Sequence, residues 1–435
     1  MRDIILTLFT LCGLIATLRA PYVGLMLWVL FSIMNPHQEA YGFARSVPWN
    51  LIIAIVTTGA WMASAERKLP PRGATTALVF ALLAWTTFNT LFAFDPSYSW
   101  TYWNRAWKIV AMGIVAGTLT TSRVRFQALM WVVALSLCYY GVKGGLFTVI
   151  KGGHSQVFGP PKSMIYDNNT LADALVMVLP IMNYLREYSE SRALRTGIWV
   201  AIILVVTSIV GSYSREAYIA LAVVAIAFWM RTGRKFLYPV IAVIVLVPLL
   251  SLMPASIFQR AASIQHFNTD DSFQTRVDSW WVAYRYAMDH LPFGAGFYGM
   301  NLGALWNHYI PGELHAAHSI YFQTLGEQGV IGLILYLMVI AVGFLNFRAV
   351  RRDTRNVPEF AWARDLAEMM RLSFLAFCVA GAAAPINFFD LFFLWTMLSA
   401  TLREMTRKEK VPLAVETPFV PELEPVRRPL RVPPR

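Results

Sequence analysis

The sequence predicts an all-α polytopic integral membrane protein, and three observations carry that expectation. Hydrophobic residues make up 57% of the 435-residue chain and charged residues 14%, whereas a soluble domain holds about half and about a quarter. Mean hydropathy is +0.50. The apolar residues fall in long runs separated by short charged stretches, the pattern that a hydrocarbon layer of about 30 Å demands of spanning helices.

Two apolar runs, Ile4–Leu18 and Pro21–Met34, are broken by Arg19-Ala20-Pro21. Each is short for a crossing, so they are either two thin spans or one interrupted pass. The single pass is preferred, and the run is retained as an anchor because no cleavage site follows. The next spans are Leu51–Ala63, Ala74–Phe94, Ala106–Thr120, Phe126–Phe147, Leu171–Leu185, Gly197–Gly211, Tyr218–Met230 and Phe236–Met253. A long polar interruption, Pro254–Gly329, precedes Val330–Phe347, Leu372–Ala384 and Phe389–Leu402. The total is about 12 transmembrane helices. The chain therefore divides into membrane helices over 1–253, with outer loops that include 148–170, a loop region over 254–329, membrane helices over 330–403 and a tail over 404–435. Seven prolines after Lys410 mark that tail as unstructured.

The net charge of +12 would suit nucleic acid. The basic residues instead cluster on alternate short loops: Arg67, Lys68 and Arg72; Arg123 and Arg125; Arg186, Arg192 and Arg195; Arg231, Arg234 and Lys235; Arg348, Arg351, Arg352 and Arg355. That is the signature of cytoplasmic loops, and it removes nucleic acid as a partner. The long loop then faces outward, and Trp49, Trp100, Tyr102 and Trp103 read as an outer aromatic belt. Cys12, Cys138 and Cys378 fall inside spans and read as packing residues rather than a disulfide framework.

Cations on the outer side need a reason, and an anionic lipid headgroup supplies one; the plainer account is snorkelling to lipid phosphates. Arg215, in GSYSREAYIAL, stands where one span ends and the next begins. Arg276 opens a segment whose Val277, Trp280, Trp281, Tyr284, Ala287 and Met288 make one helical face, with Asp278, Arg285 and Asp289 off it. Such a helix would lie flat among headgroups with its aromatic side down. The loop holds three Arg against six Asp and Glu, so phosphate binding there would rest on one or two placed guanidinium forks.

His318 lies in HAAHSIYFQTLGEQG, where His315, His318, Phe322 and Leu325 are spaced as one helical face. A His-x-x-His pair with Glu313 invites a metal reading, but no fourth ligand of suitable spacing follows. General base suits His318 better, because a neutral imidazole titrates near working pH. VFGPPKSMIYDNN is a second outer segment: Asp167-Asn168-Asn169 suit a helix cap, and Lys162, Asn168 and Asn169 also suit a sugar or phosphate pocket.

In their order, SYSREA, SFQTRVDSWW, LPFGAGFYGMN and AHSIYFQTLGEQGVIGLILYL resemble the O-antigen ligase and polymerase superfamily of bacterial cell envelopes. RAPYVGLMLWVLFSIMNPH and VFGPPKSMIYDNN are similar to the branch called exosortase-associated O-glycosylation ligases. The resemblance implies a GT-C-like fold in the bacterial inner membrane with its active site facing the periplasm. It implies an inverting, metal-independent glycosyltransferase without cofactor, moving a glycan from undecaprenyl diphosphate to a hydroxyl of lipid A-core. Carried over by motif, Arg215 and Arg276 bind the donor diphosphate and His318 is the catalytic base, with Ser319 where the family usually has Asn. Arg260 is the reserve for Arg276, and His315 a further candidate.

An O-antigen polymerase shares the donor and the motifs, and a protein O-glycosylation ligase is the third reading. A transporter fits less well: the charged candidates gather at one interface beside a single long loop, not at mid-membrane in paired broken helices.

Overall fold

The computed structural model describes residues 1–65, 69–231, 271–312 and 314–408. Every regular element among them is helical. Arg260, Glu313, Arg67, Lys68, Arg234, Lys235, the expected span Phe236–Met253 and the tail beyond 408 lie outside the described residues.

The N-terminal runs become α1 (Arg2–Arg19) and α2 (Pro21–Ile33), split at Ala20, whose extended backbone interrupts the helical path. Pro21 suits the first helical position, where its missing N–H costs nothing. The two helices pack on one another. Asp3, at the start of α1, accepts N–H bonds from Gly42 at 3.0 Å and Ala44 at 3.1 Å, beyond the end of α2. The pair is thus an antiparallel hairpin, which corrects the reading of one interrupted pass: the break at Ala20 turns the chain back.

There follow α3 (Trp49–Ala63), α4 (Ala74–Thr90), α5 (Pro96–Leu119), α6 (Arg123–Ile150), α7 (Asn168–Glu187), α8 (Arg192–Gly211) and α9 (Arg215–Trp229). Capping residues set several starts. Asp95 accepts from Tyr98 N–H, Ser122 from Arg125 N–H and Ser191 from Leu194 N–H. The C-terminal part comprises α10 (Asp271–Asp289), α11 (Gly303–Tyr309), α12 (Ile320–Asp353), α13 (Ala361–Ala380) and α14 (Asp390–Lys408).

Among the described residues, four stretches are long and apolar enough to cross a membrane: α6, α8, α12 and Pro358–Ala383, which contains α13. Helices α2, α3 and α4 are apolar but shorter. The chain is accordingly a multi-pass membrane protein. Helix α12 is broken at Gly329, whose φ of 68° is not helical, close to where the span was expected to begin.

The main core lies where α12 packs on α4 and α14, α13 on α7 and α9, and α5 on α14. Its centre is aromatic. Phe392 stacks on Phe374 and Phe377 at 5.5 and 4.9 Å, with Tyr336 at 5.0 Å. Polar bonds stitch the same helices: buried Asn346 donates to Thr75 at 2.8 Å and Ser399 at 3.1 Å, and accepts from Arg403 at 3.0 Å. Such bonds specify how helices meet where lipid supplies no hydrophobic driving force.

Two expectations about aromatic residues are corrected. Trp49 is buried and donates its indole N–H to Ala44 O, and Tyr102 stacks on Tyr298 at 3.9 Å, so both rings serve packing rather than a lipid belt. Helix α10 does not rest on the expected face either. It buries Ser279, Val282, Ala283, Tyr286 and Ala287 while Trp281 and Tyr284 are exposed. The reason is a second, small core in which Val282, Ala283 and Tyr286 meet Ala295, Met300, Leu305 and Trp306. This holds α10 against α12.

Candidate functional site

The site forms where the starts of α7, α9, α10 and α12 come together. After α8 the chain turns at Tyr213, whose φ is +64°. Its hydroxyl donates to Gly153 O. Ser214 caps α9 by accepting the Ala217 N–H at 3.3 Å, which places Arg215 and Glu216 in the first turn. A carboxylate there faces the positive end of the helix dipole.

Glu216 does not pair with its neighbour in sequence. Its buried carboxylate receives Nη2 of Arg276 at 3.5 Å, with side-chain exposures of 5% and 21%. Adjacent residues on a helix point roughly 100° apart, which is consistent with a residue from α10 taking the acid beside half-buried Arg215.

One turn after Arg276, Trp280 fixes the histidine segment. Its indole N–H donates to Ala317 O at 2.9 Å, and its ring stacks on Phe322 at 5.1 Å. His318 follows Ala317 directly. It is half-buried with φ of +39°, outside any helix, and Ser319 caps α12 by accepting the Phe322 N–H. The expected single face of His315, His318, Phe322 and Leu325 is therefore corrected: both histidines precede the helix. His315 packs edge-on against Trp306 at 5.6 Å.

His318 is held below the ordinary histidine value of 6.5, first by burial, then by the positive charge of Arg276, with Asp167 opposing and His315 adding to the effect. The neutral, proton-accepting form is thus favoured. The same causes put Arg276, Asp167 and His315 in one electrostatic neighbourhood with His318.

The segment before α7 braces the site. Val157 N–H donates to Gly211 O at 3.2 Å, and Gly159 N–H to Tyr166 O at 2.9 Å. Asp167 is the cap of α7, accepting from Asn169 and Thr170 N–H. Asn168 spans to Ser212 O at 2.7 Å and to Asn169 Oδ1 at 3.2 Å. It joins the starts of α7 and α9, a bracing role beside the pocket role expected of it. Lys162 sits exposed at a turn with φ of +59°.

Sequence reasoning passed over Asp173. It is fully buried on α7, and among the described residues neither carboxyl oxygen has a hydrogen-bond partner. It lies within electrostatic reach of Glu216, Asp167 and Arg276. The signal was an acid inside the apolar run LADALVMVL, and an intramembrane ionisable residue is a functional candidate by default. Glu216 was visible only as a neighbour of Arg215.

Beneath the site, LPFGAGFYGMN is threaded against the break in α12. Ala295 N–H donates to Gly326 O and Gly296 N–H to Glu327 O, both at 2.8 Å. Asn89 donates to Glu327 O and accepts from Gly294 N–H, each at 2.8 Å. Gln323 donates to the Glu327 carboxylate at 3.0 Å.

Residues 1–190 match a family described as of unknown function (DUF5935), which assigns no activity to that half. Residues 200–337, from α8 through the break in α12, match the family described as O-Antigen ligase. No curated protein matches the chain at a significant level. The family match contains Arg215, Glu216, Arg276 and His318, so the segment that builds the site is similar to that family.

Proposed function

We propose that the protein is an inverting glycosyltransferase that moves a glycan from undecaprenyl diphosphate to a hydroxyl of lipid A-core, an O-antigen ligase of the bacterial inner membrane with its site on the periplasmic side. The observation that carries this reading is the meeting of Arg276, Glu216 and His318, drawn from three elements, inside the segment matched to the family.

Arg276, steered by Glu216, binds the donor diphosphate together with Arg215. Its guanidinium retains N–H donors for phosphate and stabilises the negative charge that grows as the diphosphate leaves, a task metal ions perform in other enzymes. His318 accepts the proton of the acceptor hydroxyl. The hydroxyl oxygen bonds to the anomeric carbon, the bond from that carbon to the phosphate oxygen breaks, and undecaprenyl diphosphate departs with its electron pair. Attack opposite the leaving group inverts the anomeric configuration.

The test is transfer by the purified full-length protein from a glycan on undecaprenyl diphosphate to lipid A-core, with and without chelator, beside His318→Ala. Glycan on lipid A-core, insensitive to chelator and absent in the variant, is the expected result. Lengthened glycan on the carrier lipid would make the protein a polymerase, glycan on protein a protein O-glycosylation ligase. Loss with chelator would overturn the metal-independent mechanism.

A further inference from the structure

A second concentration of charge lies at the far end of α9. That helix holds Glu216 in its first turn, and Arg231 follows its last, about 22 Å along the axis. There Glu368 of α13, with an 11% exposed side chain, receives three guanidinium groups. Arg231 reaches Oε1 through Nη1 at 2.7 Å, and Arg351, in the last turn of α12, reaches Oε2 through Nε at 2.9 Å. Arg371 is bidentate, Nη2 to Oε1 at 2.9 Å and Nε to Oε2 at 3.2 Å.

Each carboxylate oxygen is thus approached by two guanidinium nitrogens. Three arginines less one carboxylate leave a net charge of +2. The neighbouring Arg364 is offset by Asp365 at 3.4 Å and adds nothing to that excess. Arg231 and Arg351 are 40% and 34% exposed, and their closest approaches to Glu368 are through Nη1 and Nε respectively. The remaining N–H groups form forks of the kind that match phosphate oxygens.

The cluster ends the helices on the face that carries the basic loops, the cytoplasmic face by charge distribution. Beside it, Trp229 and Met230 expose apolar surface, 40% and 65%. A fixed cationic cluster with apolar surface alongside suits a molecule with a phosphate and a hydrocarbon tail, and basic pockets between helices on that face take anionic headgroups.

We propose that Arg231, Arg351 and Arg371, organised on Glu368, bind the phosphate of an anionic phospholipid on the face opposite the Arg276–His318 site. The test is native mass spectrometry of the full-length protein released from nanodiscs of mixed phosphatidylglycerol and phosphatidylcholine. Retention of phosphatidylglycerol should exceed that of phosphatidylcholine about tenfold, the effect of one charge-assisted contact. The preference should vanish in Arg231→Gln with Arg351→Gln and persist in Arg231→Lys with Arg351→Lys. If the double Gln variant does not fold, Arg231→Gln alone, at the most exposed position, should at least weaken the preference. Equal retention of both lipids, or a preference unchanged by these variants, would overturn the site. Loss of the preference with inorganic phosphate alone would make it a free-anion site and also overturn the proposal.

Discussion

Nη2 of Arg276 lies 3.5 Å from Oε1 of Glu216, sixty positions away in the chain, and that contact joins α10 to the first turn of α9. It turns a surface arginine into an oriented one. An exposed guanidinium samples many rotamers, and fixing it before the substrate arrives removes that cost from binding. The carboxylate takes one edge of the guanidinium and leaves donors on the other.

Glu216→Gln should therefore lower transfer about tenfold, mostly as a higher KM for the donor, because the amide keeps the shape but loses the charge that aligns Arg276. Steady-state kinetics with varied donor would show it. A lower melting temperature with unchanged kinetics would make the pair structural only.

Arg276→Ala should cost about 10²–10³-fold in kcat, the usual loss on removing one group that stabilises developing negative charge. Arg276→Lys should recover only part of this, since an ammonium restores charge but not the fork. Size-exclusion profiles matching the unsubstituted protein are needed alongside. Lys restoring full activity would reduce the role of Arg276 to a point charge.

The acid limb of the pH–rate profile should lie below pH 6.5. His318 is held below its ordinary value by burial and by Arg276, so folding favours the neutral ring. Its contribution to stability is present above the unfolded value near 6.5 and is lost as pH falls from there through the lower folded value. Arg276→Gln removes a depressing charge and should move the His318 titration upward. Asp167→Asn removes the opposing charge and should move it further down, while Asn still caps α7. Titration of the ring by NMR measures both shifts without relying on activity, and movements in the opposite senses would refute the electrostatic assignment.

The membrane character and most helices were legible in the sequence because an apolar run is a local signal. Leu171–Leu185 and Gly197–Gly211 reappear inside α7 and α8 with only their capped ends added. What the sequence concealed was lateral. Nothing local says that Glu216 faces α10 rather than Arg215, or that Trp280 pins Ala317 and so delivers His318 to Arg276. The histidine pair misled because a spacing of three suits a helix, yet Ser319, a capping residue type, marks the start of α12 one residue after His318. The aromatic stripe of α10 misled in the same way: amphipathicity reveals a face, not what covers it, and the second core buries a different one.

Gly329→Ala should destabilise the protein and displace the loop under the site. Gly329 has φ of 68° and ψ of −175°, a region essentially restricted to glycine. A Cβ there would stand 2.2 Å from Pro292 O and 2.6 Å from Phe293 C, both backbone atoms that cannot rotate away. Either strain alone costs about 1–3 kcal/mol. Moving residues 292–296 to relieve it breaks the bonds from Ala295 and Gly296 to α12, so transfer should fall together with the melting temperature. Gly197→Ala is the control: it lies on exposed α8 with nothing within 4 Å of an added Cβ, and alanine in a helix should be neutral or gain about 0.5–1 kcal/mol. Thermal unfolding in detergent separates the two, and equal melting temperatures would show that the break in α12 is not needed to seat the loop.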